Sequence, residues 1–340
     1  MSEDLFAGVP QARRELARAA VETVLGGRRV TGLEPVAGGA SGALTYRVDA
    51  EDASYLLRIE RGMNALQNPY HYPCMKAAAD AGVAPRLHFV DPQQGVALMD
   101  FVAQRPLHEY PGGAPALVRD MGALVRRLQD SSSFPSPGIS YPDLIERMFG
   151  FVRDAKVFAP GLLDPHWEGF QRIREAYRWD GEALVSSHND PNPRNILFDG
   201  SRLWLVDWET SCSNDPLTDP AVLSHELAAT RELQDVLLRS WLGREPEPVT
   251  RARFVLMQQL TRLYFASVLL RLFTADPARA PDSDLKALTP AEFVAALQNG
   301  RLRLGTPEVL YEFGKMFLAG FRDALAAPGF EDALAAARAG

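Results

Sequence analysis

The sequence has few cysteines, no long apolar run and no excess of positive charge, and each shortage argues against a class of protein. Its two cysteines, Cys74 and Cys212, lie far apart, so neither a disulfide framework nor a structural zinc site is indicated. No stretch approaches the roughly 18 apolar residues of a membrane span. Acidic residues outnumber basic ones by 43 to 36, and the net charge of −7 argues against binding to nucleic acid or to an anionic membrane.

The N-terminal segment, MSEDLFAGVPQARRELARAA, carries acids early and has no apolar centre. It is therefore not expected to act as a signal peptide. With the low cysteine content, this pattern predicts a cytoplasmic, reducing compartment.

The length of 340 residues exceeds what one hydrophobic core usually serves, so two domains are expected. The first part reads as short alternating strands, with one helix before them and one among them. In LTYRVDA, for example, Tyr46 and Val48 alternate with Thr45 and Arg47. The remainder is mostly helical in its periodicity. The predicted fold class is α+β, with a β-rich domain over residues 1–102 and a helical domain over residues 103–340.

The stretch SSHNDPNPRNILFDG contains the most informative spacing in the chain. His188, Asp190 and Asn195 follow one predicted strand, and Asp207 follows the second strand of a predicted hairpin. Asn195 and Asp207 can then meet as the hard oxygen ligands that Mg²⁺ prefers, which leaves Asp190 free to accept a proton from a hydroxyl. This is the division of roles that phosphoryl transfer to an alcohol requires. Any one of these residues alone would read as an ordinary turn residue.

A second set of residues could hold phosphate. Glycines between two strands let backbone N–H groups approach an anion, although many hairpins are also rich in glycine. The candidates in this loop are Gly38, Gly39, Ser41 and Gly42. Arg58 lies within the apolar strand YLLRIE, where a cation is costly unless it is paired. It could contact the α- and β-phosphates of a nucleotide or form a structural ion pair.

Together these residues resemble the kinase-like phosphotransferase family that includes aminoglycoside phosphotransferases and choline/ethanolamine kinases. The resemblance runs from about Val30 to Glu226, and its most specific motif is HNDPNPRN…VDWE. It implies a two-lobed protein-kinase-like fold, with a small β-sheet lobe, a mainly helical lobe, and ATP and Mg²⁺ as cofactors.

The same resemblance implies roles for individual positions. Asp190 is the expected catalytic base, and His188 is expected to support the shape of its loop. Asn195 and Asp207 are the expected Mg²⁺ ligands. The strand VALMDFV takes the place of a kinase hinge, where the Asp100 carbonyl and the Val102 amide would face adenine.

Three details favour the choline/ethanolamine kinase branch. Asn189 gives HND where antibiotic kinases commonly have HGD, and Trp208 with Glu209 completes a DWE motif similar to the choline kinase form. Asp219 and then Glu226 follow at the spacing of an acid that supports the loop and an acid that faces the substrate. The expected substrate-side residues are therefore Trp208, Glu209 and Glu226.

Several features depart from the family pattern. MNALQNPYHYPCMKAAAD has no acid before Asp80 to pair with Arg58, so the arginine needs another partner or contacts phosphate directly. The segment NPYHYP either lines the nucleotide cleft through Tyr70 or His71 or forms a rigid turn. Five aromatic residues could form a cage for a quaternary ammonium, although aromatics at helical spacing more often pack in a core. They are Tyr264, Phe265, Tyr311, Phe313 and Phe317.

The leading hypothesis is an ATP-dependent kinase acting on the hydroxyl of a small amino alcohol such as choline or ethanolamine. One alternative is phosphorylation of an aminoglycoside or another sugar hydroxyl. Another, of a different class, is a nucleotide-binding pseudokinase module, which the missing helix acid would favour. The sequence leaves the oligomeric state open.

Overall fold

The computed structural model describes residues 5–36, 43–61, 68–274 and 280–339. The chain divides into two units, each built from several stretches of sequence. The first unit comprises Met1–Pro135, Val185–Ser213 and Glu226–Trp241, and the second comprises Ser136–Leu184, Asn214–His225 and Leu242–Gly340. The predicted division at residue 102 follows a different criterion, the change from strands to helices, and stays a prediction.

A five-stranded antiparallel sheet forms the centre of the first unit, with the strand order β1-β2-β3-β5-β4. Its strands are β1 (Val30–Pro35), β2 (Leu44–Ala50), β3 (Ser54–Ile59), β4 (Leu87–Asp91) and β5 (Val96–Asp100). The alternation predicted in β2 is confirmed, because Tyr46 and Val48 are buried while Thr45 and Arg47 are half-buried. Full burial of a side chain such as Val48 contributes about 1.5–3 kcal/mol.

Helix α1 (Arg14–Leu25) packs against this sheet. Its buried stripe of Ala17, Ala20, Val21 and Leu25 joins the same core as the inward residues of β2 and β3. The helix ends at Gly26, whose φ of 57° is the left-handed geometry that glycine adopts at low cost.

The remaining elements of the first unit include β6 and β7, the strands directly before and after the loop that contains Asp190. The helices are α2 (His71–Asp80), α3 (Gly113–Gln129) and α7 (Arg231–Leu242), and the strands are β6 (Val185–Ser187), β7 (Ile196–Phe198), β8 (Leu203–Leu205) and β9 (Cys212–Asn214). The last residue of α7 and of β9 falls in the second unit. The predicted β7–β8 hairpin is confirmed, with Ile196 opposite Leu205. Its turn is closed by Asp199, whose Oδ1 accepts hydrogen bonds from the backbone N–H groups of Ser201 and Arg202.

The second unit is helical in the part of the chain that the structure describes. Its helices are α4 (Tyr141–Asp154), α5 (Asp164–Ala176), α6 (Thr218–Glu226, whose last residue falls in the first unit), α8 (Pro248–Leu270), α9 (Pro290–Gln298), α10 (Pro307–Ala326) and α11 (Gly329–Ala339). Helix α8 packs against α4, α10 and α11 and is buried along most of its length. A proline stands in the first turn of α8, α9 and α10, where its missing N–H costs nothing.

Strand β9, the two cysteines and the apolar character of the helices complete the comparison with the sequence. Strand β9 was not predicted, because Cys212–Asn214 lacks the apolar run that indicated β7 and β8. Neither Cys74 nor Cys212 forms a disulfide with a described residue. Among the described residues, no helix combines the length and apolar character needed to cross a membrane.

Acid is expected to destabilise the fold through His166, which is buried in the second unit. Its Nε2 donates to the Leu318 carbonyl, and burial lowers its pKa from 6.5 to about 4. The unfolded chain therefore takes up this proton first as the pH falls. The free energy of unfolding should drop between these two pKa values, by up to about 1.4 kcal/mol per pH unit.

Urea denaturation at pH 7.5 and pH 5.5 measures this loss. His166→Gln removes the titrating group, so its stability should differ less between the two pH values than that of the wild type. An equal difference in both proteins would contradict the assignment.

Candidate active site

The loop between β6 and β7 holds Asp190 through a set of local hydrogen bonds. Asn192 Nδ2 donates to Asp190 Oδ1 at 2.9 Å. Asn195 Nδ2 donates to the Asp190 carbonyl at 2.9 Å and lies 3.5 Å from its Oδ2. Burial, together with the nearby charge of Asp207, raises the pKa of Asp190 to about 6, against the opposing hydrogen bond from Asn192. Asp190 is thus a fixed carboxylate that is more basic than an ordinary aspartate.

His188 supports the loop from inside the protein. Its Nε2 donates to the Val206 carbonyl at 2.9 Å, and its Nδ1 accepts from the Asp190 N–H at 3.3 Å. Burial lowers its pKa to about 4, which keeps the imidazole neutral with one donor and one acceptor nitrogen. This geometry favours the predicted supporting role over direct participation in proton transfer.

Asn189 has a role that the sequence did not reveal. Its φ of 67° lies in the left-handed region, which glycine and asparagine adopt more readily than other residues. Its side chain is buried, donates to the Thr210 carbonyl and to Cys212 Sγ, and accepts from Ser187 Oγ. The described contacts of Asn189 therefore explain its presence by loop geometry, and its use as a hint about substrate loses support.

The hairpin of β7 and β8 brings Asp207 beside this loop. The Val206 N–H donates to the Asn195 carbonyl at 3.0 Å, so Asn195 and Asp207 leave the hairpin at the same end. Asp207 has a φ of 68°, and its Oδ1 is buried without a hydrogen-bond partner among the described residues. Burial raises its pKa, and Glu209 adds to the shift, while Arg58 opposes it.

This pair fits a Mg²⁺ ion that completes its shell elsewhere. Among the described residues, no three or more His, Cys, Asp and Glu side chains are grouped so as to hold a metal. Mg²⁺, however, is commonly held by one or two protein oxygens, with water and substrate phosphates as the other ligands. The buried Oδ1 of Asp207, which accepts no hydrogen bond from the described residues, is an oxygen of this kind.

Arg58 is buried on β3 and is surrounded by carboxylates. Its guanidinium lies 3.1 Å from Glu60 Oε1 and 3.8 Å from Asp207 Oδ1, and its Nη2 donates to Glu209. Burial alone would lower the pKa of Arg58, but the charges of Glu60, Glu209 and Asp207 outweigh it and raise the pKa. The sequence departure is thereby resolved, because Arg58 has partners that do not come from a helix.

Glu60 is the partner that sequence reasoning missed. It stands two residues after Arg58, and alternate residues of a strand share a face, so the spacing itself was the available signal. The NPYHYP segment lies beside it, with His71 Nε2 3.8 Å from Glu60 Oε1. Asn68 Nδ2 donates to the Ser211 carbonyl, which links this segment to the turn after Asp207.

The other predicted nucleotide residues are placed less directly. Gly38, Gly39, Ser41 and Gly42 lie outside the described residues. Asp100 is the last residue of β5, and its carboxylate forms a hydrogen bond with His88 Nε2 at 2.6 Å. Val102 follows in the half-buried segment after the strand. The hinge role of Asp100 and Val102 stays a prediction.

The three predicted substrate-side residues differ in their surroundings. Trp208 is 2% exposed and packs against His188 and Phe134, which favours a structural role for its ring. The Glu209 carboxylate is engaged with Arg58. Glu226 is exposed as a residue, but desolvation of its carboxyl by the surrounding protein raises its pKa. The positive charge of Arg194 opposes this shift. The charge of Glu226 also contributes to the raised pKa of Asp190.

In the second unit, the five candidate cage aromatics divide into separate groups. Phe265 stacks on Phe317 and contacts Tyr264 edge-on. Tyr311 instead stacks on Phe158, and Phe313 packs on Phe293. Only Tyr264, Phe265 and Phe317 are therefore grouped as a half-exposed aromatic surface among the described residues.

Comparison with known proteins identifies the family of this chain. The family model described as "Phosphotransferase enzyme family" matches residues 32–253. The chain belongs to the phosphotransferase enzyme family.

Solved structures similar to this chain carry names from both of the expected groups of kinases. A choline/ethanolamine kinase family protein from Mesorhizobium loti is 25% identical, with a TM-score of 0.68 over 96% of this chain and 99% of that one. Spectinomycin phosphotransferase, solved with ADP and spectinomycin, is 10% identical, with a TM-score of 0.55 over 90% of this chain and 98% of that one. These structures confirm the predicted protein-kinase-like fold and the resemblance to phosphotransferases.

A curated relative matches over a shorter stretch. Protein LicA of Haemophilus influenzae is 43% identical over 58 residues, which are 17% of this chain and 22% of that protein. The match spans about a fifth of the length of this relative.

Substitutions of Asn189 test the loop geometry of this phosphotransferase. Asn189→Gly keeps the left-handed backbone but loses the side-chain hydrogen bonds, at a cost of about 1 kcal/mol for each bond. Asn189→Ala loses the same bonds and adds backbone strain of about 1–2 kcal/mol. The alanine variant should therefore unfold at lower urea than the glycine variant. Equal midpoints, or a less stable glycine variant, would contradict this account.

Proposed function

We propose that this protein transfers the γ-phosphoryl group of ATP to the hydroxyl of a small amino alcohol such as choline or ethanolamine. The observation that carries the proposal is the arrangement of the β7–β8 hairpin, which sets Asn195 and Asp207 at one end, beside the loop that fixes Asp190. The proposal keeps residues 1–102 as the ATP-binding lobe, residues 103–340 as the catalytic and substrate-binding lobe, and the cytoplasm as the compartment.

Asp190 is the group that orients the acceptor hydroxyl and accepts its proton. Hydrogen bonds from Asn192 and Asn195 hold the Asp190 carboxylate in one orientation. Its raised pKa makes it a stronger proton acceptor than an exposed aspartate. His188, neutral and buried, maintains the backbone of the loop during this transfer.

Asn195 and Asp207 would hold Mg²⁺, which neutralises charge on the phosphates when it is bound. Arg58 lies beside Asp207 and would bind the α- and β-phosphates through its guanidinium. Gly38, Gly39, Ser41 and Gly42 would add donors to the phosphates, and Asp100 and Val102 would contact adenine. The ADP bound to spectinomycin phosphotransferase supports a nucleotide as the donor in a protein of this fold.

Two features support an amino alcohol as acceptor. The charge of Glu226 acts on Asp190, and a second carboxyl of this kind suits a cationic substrate whose hydroxyl must reach Asp190. Separately, the second unit carries the half-exposed surface of Tyr264, Phe265 and Phe317, a type of surface that binds ammonium groups through cation–π contacts. Similarity to a choline/ethanolamine kinase family protein over nearly the whole chain supports the same substrate class.

Replacement of Asp190 tests the chemical step. Asp190→Asn should lower the turnover of ATP with the acceptor by about 10²–10⁴-fold, because the proton acceptor is lost. ATP binding, followed by calorimetry, should remain close to that of the wild type. Asp332→Asn, at an exposed position of α11, is the matched control and should leave both quantities unchanged. Undiminished turnover in Asp190→Asn would refute the role of Asp190.

Replacement of Glu226 tests the substrate class. Glu226→Gln should raise KM for choline or ethanolamine by about 10-fold or more, which corresponds to the loss of one charge interaction, while KM for ATP stays constant. Glu232→Gln, an exposed acid on α7, is the control. Phosphorylation of spectinomycin or an aminoglycoside, with no product from any amino alcohol, would reject the proposed substrate and favour the sugar-hydroxyl alternative.

A further inference from the structure

The two glutamates that pair with Arg58 differ in their surroundings. The Glu60 side chain is 5% exposed, whereas the Glu209 side chain is 36% exposed. A buried carboxylate that loses its paired cation pays a large desolvation cost, whereas a half-exposed one can be hydrated in its place. Glu209 should therefore separate from Arg58 more easily than Glu60 does.

Glu60 is held in place by the backbone around it. Its N–H donates to the Gly95 carbonyl at 2.8 Å. Gly95 has a φ of 68°, and a Cβ there would stand 2.8 Å from the Glu60 Cβ, so the absence of a side chain at residue 95 leaves room for Glu60. Glu60 directly follows β3, two residues after Arg58, a spacing that brings the two side chains to the same side of the chain. Glu60 is thus a fixed partner that orients the guanidinium.

Glu209 is attached to a different kind of element. It lies in the short 3-10 turn Trp208–Thr210, directly after Asp207. Its carboxylate accepts from Nη2 of Arg58, the same nitrogen that lies 3.1 Å from Glu60. An arriving phosphate would need donors of this guanidinium, and three carboxylates already surround it. The partner that can leave for water is Glu209.

We propose that Glu60 is a positioning residue for Arg58 and that Glu209 occupies the place on Arg58 that a nucleotide phosphate takes. This inference rests on the proposed function, because it assumes that Arg58 binds phosphate. In the free protein Glu209 neutralises Arg58, and on binding it moves into solvent while Glu60 stays. The glutamate expected on a helix is replaced by one that directly follows the strand of Arg58.

The two glutamates should then have opposite effects on phosphate binding. Glu60→Gln removes the orienting charge, so ADP affinity should fall by about 10-fold. Glu209→Gln removes a competitor, so ADP affinity should rise by about 3-fold. Adenosine has no phosphate, and its affinity should change in neither variant. A residue with a merely structural role would alter both ligands together.

The measurement is calorimetric titration of ADP and of adenosine into the full-length protein, in EDTA. Removal of metal ions separates contact with Arg58 from any effect on a metal ligand. Glu51→Gln, an exposed acid in the turn between β2 and β3, is the control and should match the wild type with both ligands. Circular dichroism checks that each variant is folded.

Unchanged or weaker ADP binding by Glu209→Gln would overturn the exchange. An equal loss of ADP and adenosine affinity in Glu60→Gln would overturn the positioning role. If Glu60→Gln does not fold, Glu60→Asp, which keeps the charge on a shorter side chain, should bind ADP more weakly and adenosine normally. A wild-type protein that binds neither ATP nor ADP would reject the proposed function, and this inference with it, whereas failure of the variants alone leaves the proposed function standing.

Discussion

The site depends on how one buried cation is neutralised. Arg58 lies in the middle of the sheet, where an unpaired charge would be very costly, so the chain must supply anions on every side of it. Glu60 directly follows the strand that carries Arg58, while Asp207 and Glu209 come from the turn after β8. The same ion pairs that make burial of Arg58 tolerable also fix the sheet against this turn.

The second requirement is a short hairpin that aligns Asn195 and Asp207, the two proposed metal ligands. Strands β7 and β8 have three residues each, and their pairing brings Asn195 opposite Val206, next to Asp207. Left-handed backbone at Asn189 and Asp207 turns the chain sharply on either side of this hairpin. The loop and the hairpin thus form one hydrogen-bonded assembly, in which His188 bridges the two segments through the Val206 carbonyl. The positions of Asp190, Asn195 and Asp207 are therefore set mainly by backbone geometry.

Much of this arrangement could be predicted from sequence. Strand alternation located β2, and the spacing of Asp190, Asn195 and Asp207 indicated the hairpin, while the roles assigned to these residues stay a prediction. Glu60 was missed because the family pattern places the partner of the strand cation on a helix. The structural role of Asn189 was missed because a positive φ leaves no periodic signal in a sequence. These gaps share a cause: each depends on local backbone geometry.

Gly95 is 37 residues from Arg58 in the sequence, yet it determines the electrostatics of that arginine through the space it leaves for Glu60. A side chain at this turn would crowd Glu60 and so disturb the carboxylate that pairs with Arg58. The boundary of the functional site is therefore wider than its contact surface, and it includes a residue whose contribution is an empty volume.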